Sequence, residues 1–172
     1  MLPKNPLHTR SLICLAAAAL PVVQAAPLYW DGTSTTVDAD GGTGVWSTAA
    51  EPANWDSDAL AGSDLPWTDG SEAILGGSGG VVTVSGSVSA ASLAFGSPGY
   101  SISGGILTLT GTPTIDTGAH AVTISSPITA AVPIVKNGSG TLTLAGSNTF
   151  SGLFTISSGT VKVGISTPLG AA

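Results

Sequence analysis

The sequence predicts an all-β protein, a right-handed parallel β-helix (a solenoid) preceded by a short cap segment rich in Trp, Gly and Asp. Three observations carry this. Apolar and polar residues alternate with a period of two through the second half of the chain. The alternating runs recur about every 20 residues. After residue 25, no stretch sets apolar residues at i, i+3, i+4 and i+7 between capping signals. A β-sandwich is the alternative architecture, because strands separated by turns at similar spacing also build sandwiches.

The first element is a leader. Lys4, His8 and Arg10 precede an apolar run from Leu12 to Leu20, which ends in Pro21-Val22-Val23-Gln24-Ala25-Ala26. A basic start, a short apolar centre and small residues at the end form a secretory signal peptide over residues 1–25, with cleavage expected after Ala25. The apolar run is shorter than the roughly 20 residues that a spanning helix needs, so no membrane-spanning segment is expected in the mature chain. Cys14 leaves with the leader, and disulfides and thiolate metal sites leave with it. The remaining 147 residues hold Lys136 and Lys162 as their only Lys or Arg against ten acidic residues, a net charge of −8. Nucleic acid is thereby a poor partner, since its phosphates are held mainly by Lys and Arg.

Residues 26–80 form the expected cap. Tyr29-Trp30-Asp31-Gly32, Gly44-Val45-Trp46-Ser47, Asn54-Trp55-Asp56 and Leu65-Pro66-Trp67 contain all four tryptophans, and nine of the ten acids lie between Asp31 and Glu72. Turn residues this dense allow only short strands. Residues 81–172 form the repeat region, entered through Gly76-Gly77-Ser78-Gly79-Gly80. Its runs are Val82-Thr83-Val84, Leu107-Thr108-Leu109, Val122-Thr123-Ile124, Leu142-Thr143-Leu144 and Val161-Lys162-Val163. Each sets two apolar side chains on one face and a Thr or Lys on the other, as a half-buried strand requires. The starts are 25, 15, 20 and 19 residues apart. A strand this short buries its apolar face only by stacking on the next coil.

The clearest unit runs over residues 136–164. Lys136-Asn137-Gly138-Ser139-Gly140-Thr141-Leu142-Thr143-Leu144-Ala145-Gly146-Ser147-Asn148-Thr149-Phe150-Ser151-Gly152 is followed by Thr155-Ile156-Ser157-Ser158-Gly159-Thr160-Val161-Lys162-Val163-Gly164. This resembles one complete copy of the autotransporter-associated β-strand repeat, also called the passenger-associated transport repeat. That repeat reads K-x-G-x-G-T-L-x-L-x-G-x-N-x-[YF]-x-G, then a strand and G-T-L-x-[VL]-G. The resemblance implies a β-helical passenger, often adhesin-like, carried to the surface of a Gram-negative-type bacterium or secreted. Read without it, Gly138, Gly140, Gly146, Gly152 and Gly159 fall where the chain turns, Asn148 bonds backbone, and Phe150 joins the core.

No catalytic site is expected. A β-helical lyase or glycosidase needs paired carboxylates, and the repeat region has Asp116 alone. His120 has no triad partners in sequence. Asp38-x-Asp40-Gly41-Gly42 and Asp56-x-Asp58 resemble fragments of calcium loops, but they lack the full ligand pattern, so they are expected to be solvated turns. No metal or cofactor is expected, and melts in EDTA and in Ca²⁺ are expected to coincide. The functional expectation is an exported, non-catalytic structural or adhesin-like passenger segment. The rival is a carbohydrate-binding module whose four tryptophans stack on a cell-surface or extracellular polysaccharide, although tryptophans in so Gly-rich a segment more often form a core.

The segment after Thr160-Val161-Lys162-Val163-Gly164 offers no polar capping element between Ile165 and Ala172. A bare last coil presents unpaired N–H and C=O groups, so the chain is expected either to be a fragment of a longer repeat protein or to self-associate through that end. Light scattering on the purified mature chain should show mass rising with concentration. A monomer over the whole range would remove the open-end reading.

Overall fold

The computed structural model describes residues 25–34 and 36–164. The leader expected over residues 1–25 lies outside the described residues but for Ala25, and so does the expected uncapped end over residues 165–172. Among the described residues there is no helix, so none is long and apolar enough to cross a membrane. All the strands belong to a single sheet that winds around the molecule.

Five short strands come first: β1 (Leu28–Trp30), β2 (Gly44–Trp46), β3 (Trp55–Asp56), β4 (Asp64–Leu65) and β5 (Ser71–Leu75). The long β6 (Val81–Phe95) and β7 (Ser101–Leu109) follow. Then come β8 (Thr114–Asp116), β9 (Ala121–Ile124), β10 (Ile128–Ala130) and β11 (Ile134–Asn137). The last are β12 (Thr141–Leu144), β13 (Thr149–Phe150), β14 (Phe154–Ile156) and β15 (Thr160–Val163).

Pairing registers show how these strands close a core. On one face Val82 lies beside Ile102, Ile102 beside Ile124, Ile124 beside Leu144 and Leu144 beside Val163, in parallel. On a second face Val88 pairs Leu107, Leu107 pairs Ile128, and Ala130 pairs Phe150. On a third, Ala73, Leu93, Ile115, Lys136 and Ile156 follow one another. Each step advances the chain by 19 to 22 residues. A chain that returns parallel to itself on three faces is a β-helix, and the parallel ladders leave no place for the antiparallel sheets of a sandwich.

The inward side of each face is aliphatic. Val82, Leu93, Ile102, Leu107, Ile115, Ile124, Ile128, Leu142 and Leu144 are buried, while the residues between them along each strand face outward. β6 runs on from one face to the next as a single strand. It does so through a register shift between Val84 and Ser87 that places Gly86 at φ 73°.

Two features of the regular body differ from the sequence expectation. The 25- and 15-residue spacings arise because Leu107-Thr108-Leu109 sits on the second face. The neighbour of Val82 and Val122 on the first face is Ser101-Ile102-Ser103, a strand segment with one large apolar residue. The parallel ladder also crosses the Gly-rich segment at 76–80: β5 and β2 both pair β6, and β1 pairs β5. The Trp-rich segment thus supplies the first strands of the coil, and only the β1–β3 and β3–β4 pairs are antiparallel among the described strands.

Stacking of this kind makes the inward column the source of stability. Ile124→Ala should lower unfolding free energy by about 2–5 kcal/mol in urea titration, whereas Thr123→Ala on the outward side should change it by under about 0.5 kcal/mol. Equal effects would place the core elsewhere.

Candidate functional site

Two clusters of residues stand out, one at each end of the coil. At the N-terminal end the four tryptophans form a chain of edge and tilted contacts. Trp30–Trp55 and Trp46–Trp55 centroids are 5.0 Å apart, Trp46–Trp67 4.8 Å and Trp55–Trp67 4.6 Å. Their exposures run from 0 to 3%. Trp30 Nε1 donates to the Gly42 carbonyl at 2.8 Å, and Trp67 Nε1 donates to the Ser89 carbonyl at 3.1 Å. The packing expectation holds: the four rings are buried in the core and present no open face to a sugar.

Of the acids expected to lie in solvated turns, Asp56 departs from that expectation, and it gathers with two further acids beside the tryptophans. Asp31 follows β1, Asp56 ends β3 and Asp64 opens β4. The antiparallel register sets Asp56 opposite Tyr29 on one side and opposite Asp64 on the other. Asp31 and Asp56 are buried, at 1% and 0% exposure, while Asp64 is exposed. Asp31 Oδ1 accepts the Asp40 amide at 2.9 Å, but neither oxygen of Asp56 has a hydrogen-bond partner. Burial, with the Asp31 and Asp64 charges adding to it, pushes the Asp56 carboxyl up to about 6. Burial also raises Asp31, against the lowering effect of the Asp40 amide. Of the acids that sequence reading singled out, Asp38, Asp40 and Asp58 are exposed. Asp40 accepts from the Thr36 and Ser34 hydroxyls at 2.6 and 3.0 Å, which lowers its carboxyl. Asp58 bonds the Leu60 amide at 2.9 Å.

At the other end, residues 136–164 explain their own spacing. Lys136 is fully buried, and its Nζ donates to the carbonyls of Asn137, Gly138 and Ser158. The last of these belongs to the following coil, so the ammonium ties two coils together. Burial lowers its pKa, and Asp116 opposes that. Asn148 is buried and its Oδ1 accepts the Ile128 amide of the preceding coil at 2.9 Å. Phe150 is in the core at 4% exposure.

The glycines of this segment divide into two kinds. Gly138 and Gly159 take φ of 78° and 76°, so they serve turns as expected. Gly140, Gly146 and Gly152 have a different reason. A Cβ there would lie 2.0, 2.4 and 2.2 Å from the carbonyl oxygens of His120, Ser126 and Val132 on the coil before. They are glycine because adjacent coils touch.

The family described as passenger-associated-transport-repeat matches residues 134–163, the span whose Lys, Asn and Gly contacts have just been described. The chain carries a passenger-associated transport repeat. It is also 38% identical over 142 residues to the adhesin BmaC autotransporter of Brucella suis biovar 1 (strain 1330). That alignment covers 81% of this chain and spans 4% of the relative's length. No solved structure matches the chain.

The repeat's defining side chains are thus spent on the backbone of neighbouring coils. Asp116, the carboxylate of the repeat region, is engaged as well: its Oδ1 accepts the Gly118 amide at 2.7 Å. The Lys136 clamp was not legible in sequence, where a Lys at a strand end reads as a surface charge. Lys136→Met keeps the apolar stem and leaves buried carbonyls without their donor, so it should destabilise the chain by about 1–3 kcal/mol in urea melts. Lys162→Met, on an exposed strand position, should leave the midpoint unchanged.

Proposed function

We propose that this chain is an exported, non-catalytic passenger segment with an adhesin-like, structural role on the surface of a Gram-negative-type bacterium. The observation that carries the reading is the transport repeat itself, seated in the last coils of a parallel β-helix with its fixed residues bonded to neighbouring turns. Similarity to an autotransporter adhesin supports the same direction. A solenoid whose stability resides in coil-to-coil contacts can be extended in length without redesign, which suits a stalk or passenger that holds a binding surface away from a cell.

A second reading concerns where a polysaccharide would bind. With the tryptophans buried, the surface that favours it is the hydroxyl row Ser89, Thr108, Thr129 and Thr149, in register on successive coils of the second face. Thr108 and Thr129 share a hydrogen bond of 3.0 Å, and the last three of these residues line an open groove of about 400 Å³ with Phe150 and Ser151. Hydroxyls repeated at the strand spacing can bond the hydroxyls of an extended glycan.

Expressed with its own leader in a Gram-negative host, the chain should lose residues 1–25 and leave the cytoplasm. Intact-mass measurement and cell fractionation check this. An uncleaved chain retained in the cytoplasm would overturn the export reading.

A further inference from the structure

The strongest unexplained feature of the molecule is the buried acid cluster at its N-terminal end. One oxygen from each of Asp31, Asp56 and Asp64 lies within 4.8 Å of the others. Proximity of acids alone is a weak signal, since surface carboxylates often gather without consequence. Here a second observation points to a ligand. Asp56 is fully buried, both of its oxygens lack any hydrogen-bond partner, and one of them lies within 4.8 Å of a carboxylate oxygen of Asp31 and of Asp64. An ionised carboxylate withdrawn from water without a donor or a cation is unfavourable by several kcal/mol, and like charges on directly opposed strand positions add to that.

The fold builds this arrangement. Successive residues of a strand face opposite sides, so Trp55 enters the aromatic core and Asp56 faces away from it. Asp56 would be solvated there if the 57–63 segment did not close over it. Gly62 makes that closure, for a Cβ at Gly62 would lie 2.7 Å from the Asp56 Cβ and 2.9 Å from its Cγ and Oδ1. The chain has been brought down onto a carboxylate.

No cation of the protein answers these charges among the described residues. Lys136 and Lys162 are the sole Lys or Arg there, and the Lys136 ammonium is held by carbonyls of the C-terminal coils. Asp38 and Asp40, in the neighbouring loop, add further negative potential.

We propose that Asp31, Asp56 and Asp64 bind a calcium ion. The donor set is entirely oxygen, with no His or Cys, which selects a hard cation. Three carboxylates on two short strands and a strand end offer mono- or bidentate ligation, and the exposed side at Asp64 leaves room for water. Calcium accepts such irregular sets of six to eight oxygens, whereas magnesium demands near-octahedral geometry. The ion would join β1, β3 and β4, the antiparallel patch among the described strands, and so fasten the cap onto the first coil. This site does not depend on the exported-passenger reading, and it reverses the sequence expectation that no metal is bound.

The test uses the mature chain, with thermal melts in EDTA and in millimolar Ca²⁺, and Tb³⁺ as a luminescent stand-in excited through the adjacent tryptophans. Wild type should melt roughly 5–10 °C higher in Ca²⁺ and sensitise Tb³⁺ emission that Ca²⁺ displaces. Asp56→Asn should melt at or above wild type in EDTA, because an uncompensated buried charge is gone, and should lose both the Ca²⁺ shift and the emission. Asp64→Asn, at an exposed position, guards against misfolding and should weaken Ca²⁺ binding at least tenfold. Glu51→Gln, an exposed acid outside the cluster, should behave as wild type. Coincident wild-type melts without Tb³⁺ emission would overturn the proposal, as would an unchanged Ca²⁺ response in both Asp variants.

Discussion

The structure depends on one constraint: the chain must return to the same face, in parallel, every 19 to 22 residues. A three- or four-residue strand has too little apolar area to stand alone, and parallel pairing with the coils before and after supplies both its hydrogen bonds and its burial. Every other regularity follows from this. Glycines fall at Gly140, Gly146 and Gly152 because the main chain of the previous coil passes where a Cβ would be. Side chains that would be surface groups in another fold, such as Asn148 and Lys136, turn inward because a coil boundary leaves carbonyls and amides to be satisfied.

Much of this architecture is legible in the sequence, for a physical reason. The inward residues must be large and apolar and the outward ones polar, so Val122-Thr123-Ile124 and Leu142-Thr143-Leu144 announce themselves as stacked neighbours, which they are. The pattern fades where a coil uses small residues. Ser101-Ile102-Ser103 has a single large side chain facing in, and its period-two signal is too faint beside the stronger Leu107-Thr108-Leu109 run on another face. Spacing read from the strong runs alone is therefore uneven, although the coil length is nearly constant.

What sequence reading missed has a common cause. The buried acids and the buried lysine both depend on contacts between residues distant in the chain, and their identity alone suggests the opposite of their environment. Asp56 sits in a Gly- and Asp-rich stretch that reads as solvated, yet the β3 register with β1 and β4 sets it between strands and the segment carrying Gly62 covers it. The available signal was Asn54-Trp55-Asp56: a tryptophan committed to the core fixes the side on which the next residue points.

The first coil and the repeat hold the stack together by different chemistry. A parallel stack has an open cross-section at each end, and its first turn needs something that is not another identical turn. At the N-terminal end four tryptophans fill the cross-section with area that the short strands β1 to β4 cannot supply from aliphatic side chains. Two antiparallel pairs then finish the sheet there, and an antiparallel strand at the edge ends the parallel series, because a further coil of the same hand has no parallel edge to join. Within the repeat, by contrast, cohesion between coils comes from Lys136 and Asn148 bonding across the boundary, a device that can recur at each turn. The molecule thus combines a terminal structure built once, from aromatic area and acids, with a periodic structure that can be extended. The acids can gather at the first because no described strand stacks beyond β4, whereas a buried carboxylate cluster inside the periodic stack would face aliphatic neighbours above and below.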